Sequence, residues 1–256
     1  MIEAFLIFIF GLIIGSFLNV VVLRLKANEQ FTRGRSRCPH CRHFLGFWDL
    51  LPVVSFIFLL GKCRYCHKPI AWQYPLVELA AALVFVVGFF HYFPVSYQAA
   101  ALPAYLAYLV FVCFLIIIFV YDLKYYLILD SVTLSGFILA LLFNLWLGRP
   151  LGNLLLASII IAGFFALQFI FSKGKWIGGG DIKLGLVIGA MLGWPMALTA
   201  LILAYLLGSV VGLILIAAKK KGWQSEMPFG TFLALTTWAV LLWGDSIVNW
   251  YWHVFL

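Results

Sequence analysis

Eight apolar runs, near residues 4–23, 76–93, 103–121, 129–147, 151–171, 182–193, 195–218 and 228–243, follow one another almost without interruption. Most are long enough to cross a hydrocarbon layer of ~30 Å as a helix. Only a membrane accepts so much unbroken apolar surface, and the balance of residues agrees: 65% are hydrophobic, 10% are charged and the mean hydropathy is +1.10. The expectation is an all-α polytopic membrane protein of about eight transmembrane helices. The opening run, Ala4–Leu23, has no basic stretch before it and no small-x-small cleavage site, so it is expected to stay as the first span and not to act as a signal peptide. The sixth run is short, and Gly193-Trp194-Pro195 breaks it from the seventh.

With eight spans the loops at 24–75, 122–128, 172–183 and 219–227 share one face. They carry all 17 Lys and Arg residues except Arg149. That asymmetry makes the face cytoplasmic and leaves both termini outside. The net charge of +8 then reflects orientation and attraction to anionic lipid, and no nucleic-acid partner is expected. Lys219-Lys220-Lys221 reads as a stop-transfer anchor, and Trp250-Tyr251-Trp252-His253 as an outer interfacial belt.

The one sizeable polar segment, 24–75, holds four of the five cysteines, as Cys38-x2-Cys41 and Cys63-x2-Cys66. Each pair lets two thiolates reach one ion from a tight turn, and two pairs complete a tetrahedral S4 site. Disulfides seldom persist on a cytoplasmic face, which favours metal over two bridges. Four protein ligands leave no open position, so a structural zinc is expected in a small cytoplasmic zinc-ribbon-like insert, with the metal supplying stability that so short a segment lacks. His40, His43 and His67 are expected to be bystanders. Phe44 to Leu60 is too apolar for a solvated loop and should lie against the bilayer or the helices, with Phe47 and Trp48 suited to the interface. Cys113 reads as a small apolar filler.

Gly15 and Ser16 suit close helix approach, and Asn19 within the same run needs a polar partner. Glu78, about a turn into the second run, either pairs with an arginine of the insert or lines a polar site. Two further acids carry most of the chemistry. Asp122 ends the third run, where the helix dipole disfavours a negative charge, and Asp181 follows Gly178-Gly179-Gly180 at the start of the sixth. An acid at the edge of hydrocarbon is expensive and implies a function when a partner can be named. Glycines before it allow another backbone, such as an extended peptide, to come close. Asp130 sits comfortably at a helix start, and Lys183 is placed to bias the charge of the pair. Two carboxyls held together share a proton and can activate water, as in an aspartic protease. On residue types alone, Asp122 and Asp181 could equally be unrelated helix-end acids.

The sequence resembles the type IV prepilin peptidases, bifunctional aspartic peptidases of bacterial pilus and type II secretion systems. The resemblance rests on Gly15-Ser16-Phe17-Leu18-Asn19-Val20, the two CxxC pairs, Leu51-Pro52-Val53-Val54-Ser55 and Gly61-Lys62-Cys63, then on Tyr74-Pro75-Leu76-Val77-Glu78 and Tyr121-Asp122-Leu123, and finally on Gly178-Gly179-Gly180-Asp181-Ile182-Lys183 and Pro228-Phe229-Gly230. It implies Asp122 and Asp181 as the catalytic pair; from their residue types and positions, Gly178, Gly179, Gly180, Lys183, Asp130 and Glu78 are expected to shape the site or bind substrate. Implied as well are cleavage of prepilin and pseudopilin leaders at the cytoplasmic side of the bacterial inner membrane, and N-methylation of the new terminus with S-adenosylmethionine. No Gly-rich cofactor loop marks where that donor binds. The resulting division is 1–25 as a first transmembrane helix, 26–75 as the cytoplasmic four-cysteine zinc-binding segment and 76–256 as a transmembrane helical aspartic peptidase domain. Two departures stand out: the family's Pro-Asp is Leu129-Asp130 here, and its Pro-Phe-Gly-Pro ends in Thr231. Presenilin-like peptidases also pair Tyr-Asp with Gly-x-Gly-Asp, but the cysteine insert and the lack of a terminal Pro-Ala-Leu weigh against them. A proton- or cation-coupled transporter is the alternative of another class. It would need acids near the midplane and an internal repeat, and no clear repeat is seen.

Overall fold

The computed structural model describes residues 1–30, 34–94, 99–220, 222 and 227–255. Lys221 of the basic anchor and the Trp252 side chain lie outside the described residues. Among those described the chain is helical, with isolated bridges and no β-strand, and it divides into two compact units, Met1–Ala101 and Leu102–Leu256.

The first unit contains α1 (Ile2–Lys26), a short α2 (Val54–Phe58) and α3 (Gln73–Tyr92). The second contains α4 (Leu102–Tyr125), α5 (Asp130–Trp146), α6 (Leu151–Ser172), α7 (Gly179–Leu192), α8 (Met196–Ala217) and α9 (Phe229–Phe255). Each predicted apolar run lies on its own helix, and the last helix continues through the aromatic tail. Six of the described helices are long and apolar enough to cross a membrane, while α5 and α7 have 17 and 14 residues.

In the first unit α1 and α3 pack antiparallel along a seam of small residues. A Cβ on Gly11 would stand 2.5 Å from the Ala82 Cα, and one on Gly15 2.7 Å from the Glu78 Cα. One turn further, Asn19 Nδ2 donates to the Tyr74 carbonyl at 3.1 Å and Asn19 Oδ1 accepts from Gln73 at 3.3 Å. Backbones in contact replace the hydrophobic drive that lipid removes. The helix that begins at Gln73 thereby groups with the cysteine insert and α1.

The second unit is built around α7, whose Leu184, Val187, Ile188, Ala190 and Met191 are buried. Its seam with α6 repeats the same device, with Gly185 against Ala162 and Gly189 against Ser158. At 1.5 Å per residue α7 is only about 21 Å long, so its last carbonyls need donors from within the protein. Asn144 of α5 donates to Ala190 at 2.6 Å and Met191 at 3.1 Å, and the Arg149 guanidinium donates to Leu192 at 3.3 Å. Asn153 closes the turn by donating to the Trp194 carbonyl and accepting from the Trp194 amide. Arg149, the exception to the charge asymmetry, is therefore a helix cap. An Asn144→Leu protein strands two buried carbonyls and should lose about 1–3 kcal/mol, read as a lower unfolding midpoint in detergent.

Candidate active site and metal centre

Asp122 lies in the last turn of α4 and Asp181 in the first turn of α7, and both are buried. The dipole at the C-terminal end of α4 disfavours a charge at Asp122, but the start of α9 favours one. The Thr231 amide donates to Asp122 Oδ2 at 2.8 Å and the Thr231 hydroxyl to the same oxygen at 3.2 Å. The Gly230 amide also donates to this carboxyl. A helix N-terminus thus faces the acid that its own helix leaves unfavoured. Asp181 is held differently: its Oδ2 accepts from the Gly178 amide at 3.1 Å, a reach-back across the first turn of α7.

Ile128, in the connection between α4 and α5, ties these two ends together. A Cβ on Gly180 would stand 2.9 Å from Ile128 Cβ, and one on Gly230 3.1 Å from Ile128 Cδ1 and 3.0 Å from Asp122 Oδ2. One side chain therefore touches the helix start that carries Asp181 and the helix start that grips Asp122. The two carboxyls lie within electrostatic reach of each other.

Of the three glycines, Gly180 is sterically required by Ile128, whereas a Cβ at Gly179 would meet open space and one at Gly178 would make ordinary contacts, 3.6 Å from the Asp181 carboxyl and 4.0 Å from the Gly180 nitrogen. Lys183 pairs with Asp130 at the start of α5, and both side chains are exposed. The positive charge expected to bias the acids is engaged by Asp130. Glu78, in the first unit, accepts from the Val53 amide at 2.8 Å and is bonded by the Ser16 hydroxyl. Those partners replace the arginine considered from sequence. They hold the turn before α2, where Val53 adopts φ +61°, a left-handed value that is costly for a β-branched residue.

In the insert, the Sγ atoms of Cys38, Cys41, Cys63 and Cys66 all lie within 4.8 Å of one another, and no cysteine among the described residues is in a disulfide. Tetrahedral zinc thiolates with Zn–S of about 2.3 Å would set sulfurs roughly 3.8 Å apart, close to the 3.9 Å between Cys38 and Cys66. The two turns are copies. The Cys38 amide donates to His43 and the Arg42 amide to Cys38, while the Cys63 amide donates to Lys68 and the His67 amide to Cys63. Arg42 and His67 both take left-handed φ, +58° and +57°. Burial pushes the Cys38 thiol up, but hydrogen bonds from the Cys41 and His40 amides and contacts with the Cys41 and Cys63 thiols outweigh it, leaving a pKa of about 7. These four residues can hold a metal ion. His43 stacks on Tyr65 at 3.6 Å and stays outside the thiol cluster.

A model of the bacterial peptidase A24 N-terminal domain matches residues 9–92, and one of the type IV leader peptidase family matches residues 109–213. The "prepilin leader peptidase/N-methyltransferase" of Aeromonas hydrophila is 35% identical over 98% of this chain and 94% of its own length. The chain belongs to the type IV leader peptidase family. Proteins of the same name from Bacillus subtilis, 34% identical over 96% of each chain, and from Stutzerimonas stutzeri, 32% identical over 93% and 90%, are further members. No solved structure matches. The two leader peptidase family models fall one on each compact unit.

The family's Pro-Phe-Gly-Pro motif is where sequence reasoning undervalued a residue. Thr231, noted only as a departure from proline, supplies an amide and a hydroxyl to Asp122, and a proline could supply neither. Ile128 had no signal beyond lying between Asp122 and Asp130.

Proposed function

We propose that this chain is an aspartic endopeptidase of the cytoplasmic membrane that removes the leaders of type IV prepilins and pseudopilins, and that it N-methylates the exposed terminus. The observation that carries the reading is the placement of Asp122 and Asp181 on neighbouring helix ends around Ile128, in a member of a leader peptidase family. Three donors on Asp122 favour its carboxylate, so the shared proton of the pair rests on Asp181. Asp122 takes a proton from water as its oxygen adds to the scissile carbonyl. Asp181 gives its proton to the leaving amine as the C–N bond breaks. A transporter has no support beyond the acids themselves.

Gly178 and Gly179 leave room for the substrate backbone beside Asp181, Gly180 lets Ile128 approach, and the Lys183–Asp130 pair orients the start of α7. Glu78 shapes the first unit through the Val53 turn. We assign zinc as the ion of Cys38, Cys41, Cys63 and Cys66, in a structural role. S-adenosylmethionine, when bound, supplies the methyl group to the new amine, and no residue here is assigned to hold it. The sided distribution of Lys and Arg supports acids that open to the cytoplasm. Membrane lipid is a further partner of the insert, where Phe47, Trp48, Phe58, Leu60 and Trp72 are all exposed. Glu78, in the second turn of α3, holds this stretch at the entrance of a span.

Co-expression with a full-length prepilin in a bacterium lacking its own leader peptidase tests the function. The mass of the product should show loss of the leader at one bond and a single added methyl group. An uncut prepilin with normally inserted enzyme rejects the peptidase, and a cut but unmethylated product rejects only the transferase. For the metal, Cys38→Ser should lower bound zinc from one equivalent to near none by elemental analysis, and unchanged stoichiometry refutes the assignment.

A further inference from the structure

Gln168 on α6 and Tyr205 on α8 lie on helices long and apolar enough to cross the membrane, and they form a polar pair where hydrocarbon would be expected. The Tyr205 hydroxyl donates to Gln168 Oε1 at 2.9 Å. That leaves the Gln168 side-chain N–H groups with no partner among the described residues, and leaves the tyrosine oxygen able to accept. The pair is accessible, with Tyr205 36% exposed and Gln168 half-buried. Unspent donors in a span are costly, which points to a ligand that uses them.

Position narrows the choice of ligand. The Tyr205 ring packs 4.8 Å from that of Phe229, the residue before the Gly230 and Thr231 amides that hold Asp122. Phe229 also packs on Phe165, which touches Gly185 one turn along α7 from Asp181. The tyrosine hydroxyl is within electrostatic reach of the Asp181 carboxyl. A peptide cut here must be unwound from any helix around the scissile bond, and its freed carbonyls then need donors at membrane depth. Tyr205 occupies the acceptor of the Gln168 amide and turns its donors outward.

We propose that Gln168 and Tyr205 form a backbone-binding subsite that seats the unwound peptide of the substrate beside the two acids. Resting on the peptidase reading, this adds positioning residues to it and takes no part in proton transfer. The Gln168 N–H groups donate to a substrate carbonyl, and the Tyr205 oxygen accepts a substrate amide. Recognition of this kind reads main chain, so it serves substrates of differing sequence.

The test is steady-state cleavage of a full-length prepilin co-reconstituted with enzyme in lipid vesicles. Gln168→Leu should raise KM about tenfold, the loss of roughly one net hydrogen bond, with kcat within about twofold. Tyr205→Phe, which keeps the ring on Phe229, should raise KM severalfold. The double variant should raise KM further than Gln168→Leu alone but by less than the product of the two single effects, because the residues are in contact. Leucine suits a lipid-facing position, and Gln168→Met serves as a second near-isosteric replacement should Gln168→Leu express poorly. An unchanged KM in both Gln168 variants overturns the subsite. So does a loss confined to kcat with a displaced pH profile, since that places the pair on the acids. If Asp181→Asn still cleaves, the peptidase reading itself has failed; an inactive Asp181→Asn beside a fully active Gln168→Leu rejects the subsite alone.

Discussion

Asparagine at position 122 or 181 should abolish leader cleavage while leaving the protein inserted and folded. The substitution keeps shape and removes only the capacity to take or give the proton. In Asp181→Asn the side-chain oxygen can still accept from the Gly178 amide at the start of α7, so the local cap survives. In Asp122→Asn the oxygen can still face the Thr231 amide and hydroxyl. What disappears is water activation in one case and leaving-group protonation in the other. Each general acid or base contributes about 10²–10⁴ in rate, so cleavage should fall at least about a hundredfold in either variant, measured on reconstituted enzyme with a prepilin substrate. The double variant should be little slower than either single one, since the two groups act as a unit. Cleavage within tenfold of the unsubstituted enzyme by either single variant ends the two-aspartate mechanism. Thr231→Val separates contributions further. It keeps the amide on Asp122 and deletes only the hydroxyl, and a loss nearer tenfold is expected.

Much of this was legible from the residues, for identifiable reasons. Apolar runs report spans because a bilayer leaves the chain few alternatives, so each run lies on its own helix. The CxxC pairs report a thiol cluster because the knuckle is a local structure, fixed by backbone hydrogen bonds across four and five residues. Asp122 and Asp181 could be singled out because acids at apolar edges are conspicuous. Less local features stayed hidden. The grip of Thr231 on Asp122 spans 109 residues of sequence, and no spacing announces it. Arg149 was conspicuous only as an exception, because its partner is a carbonyl at the end of another helix. The seams were legible in part: Gly15 suits close helix approach on its own, while the four-residue recurrence of Gly11 and Gly15 on α1, and of Gly185 and Gly189 on α7, is the fuller signal. That period marks one face of a membrane helix at which backbones meet.

Replacing Gly189 with leucine should disrupt the second unit more than any other single change at that seam. A Cβ there would stand 2.3 Å from both the Cα and the amide nitrogen of Ser158. Both atoms are backbone, so no rotamer change makes room. Helices α6 and α7 must move apart, and the movement breaks more than packing. Ser158 donates to Leu154 within α6 at 2.8 Å and to the Leu186 carbonyl of α7 at 3.0 Å, and separating the helices loses the second bond. Overpacking of this kind costs about 3 kcal/mol or more, so the unfolding midpoint in detergent should fall steeply and expression with it. Gly163→Ala is the control on α6, because a Cβ at that position meets nothing within 4 Å. Its midpoint should stay close to that of the unsubstituted protein. The consequence for catalysis follows from the length of α7: Asp181 sits in its first turn and Gly189 two turns on, so the seam that Gly189 closes also sets where that acid stands. Gly189→Ala, which adds the methyl group alone, should therefore cost activity before it costs the fold. Full cleavage activity in Gly189→Ala together with an unchanged midpoint in Gly189→Leu would mean that α6 and α7 do not meet backbone to backbone.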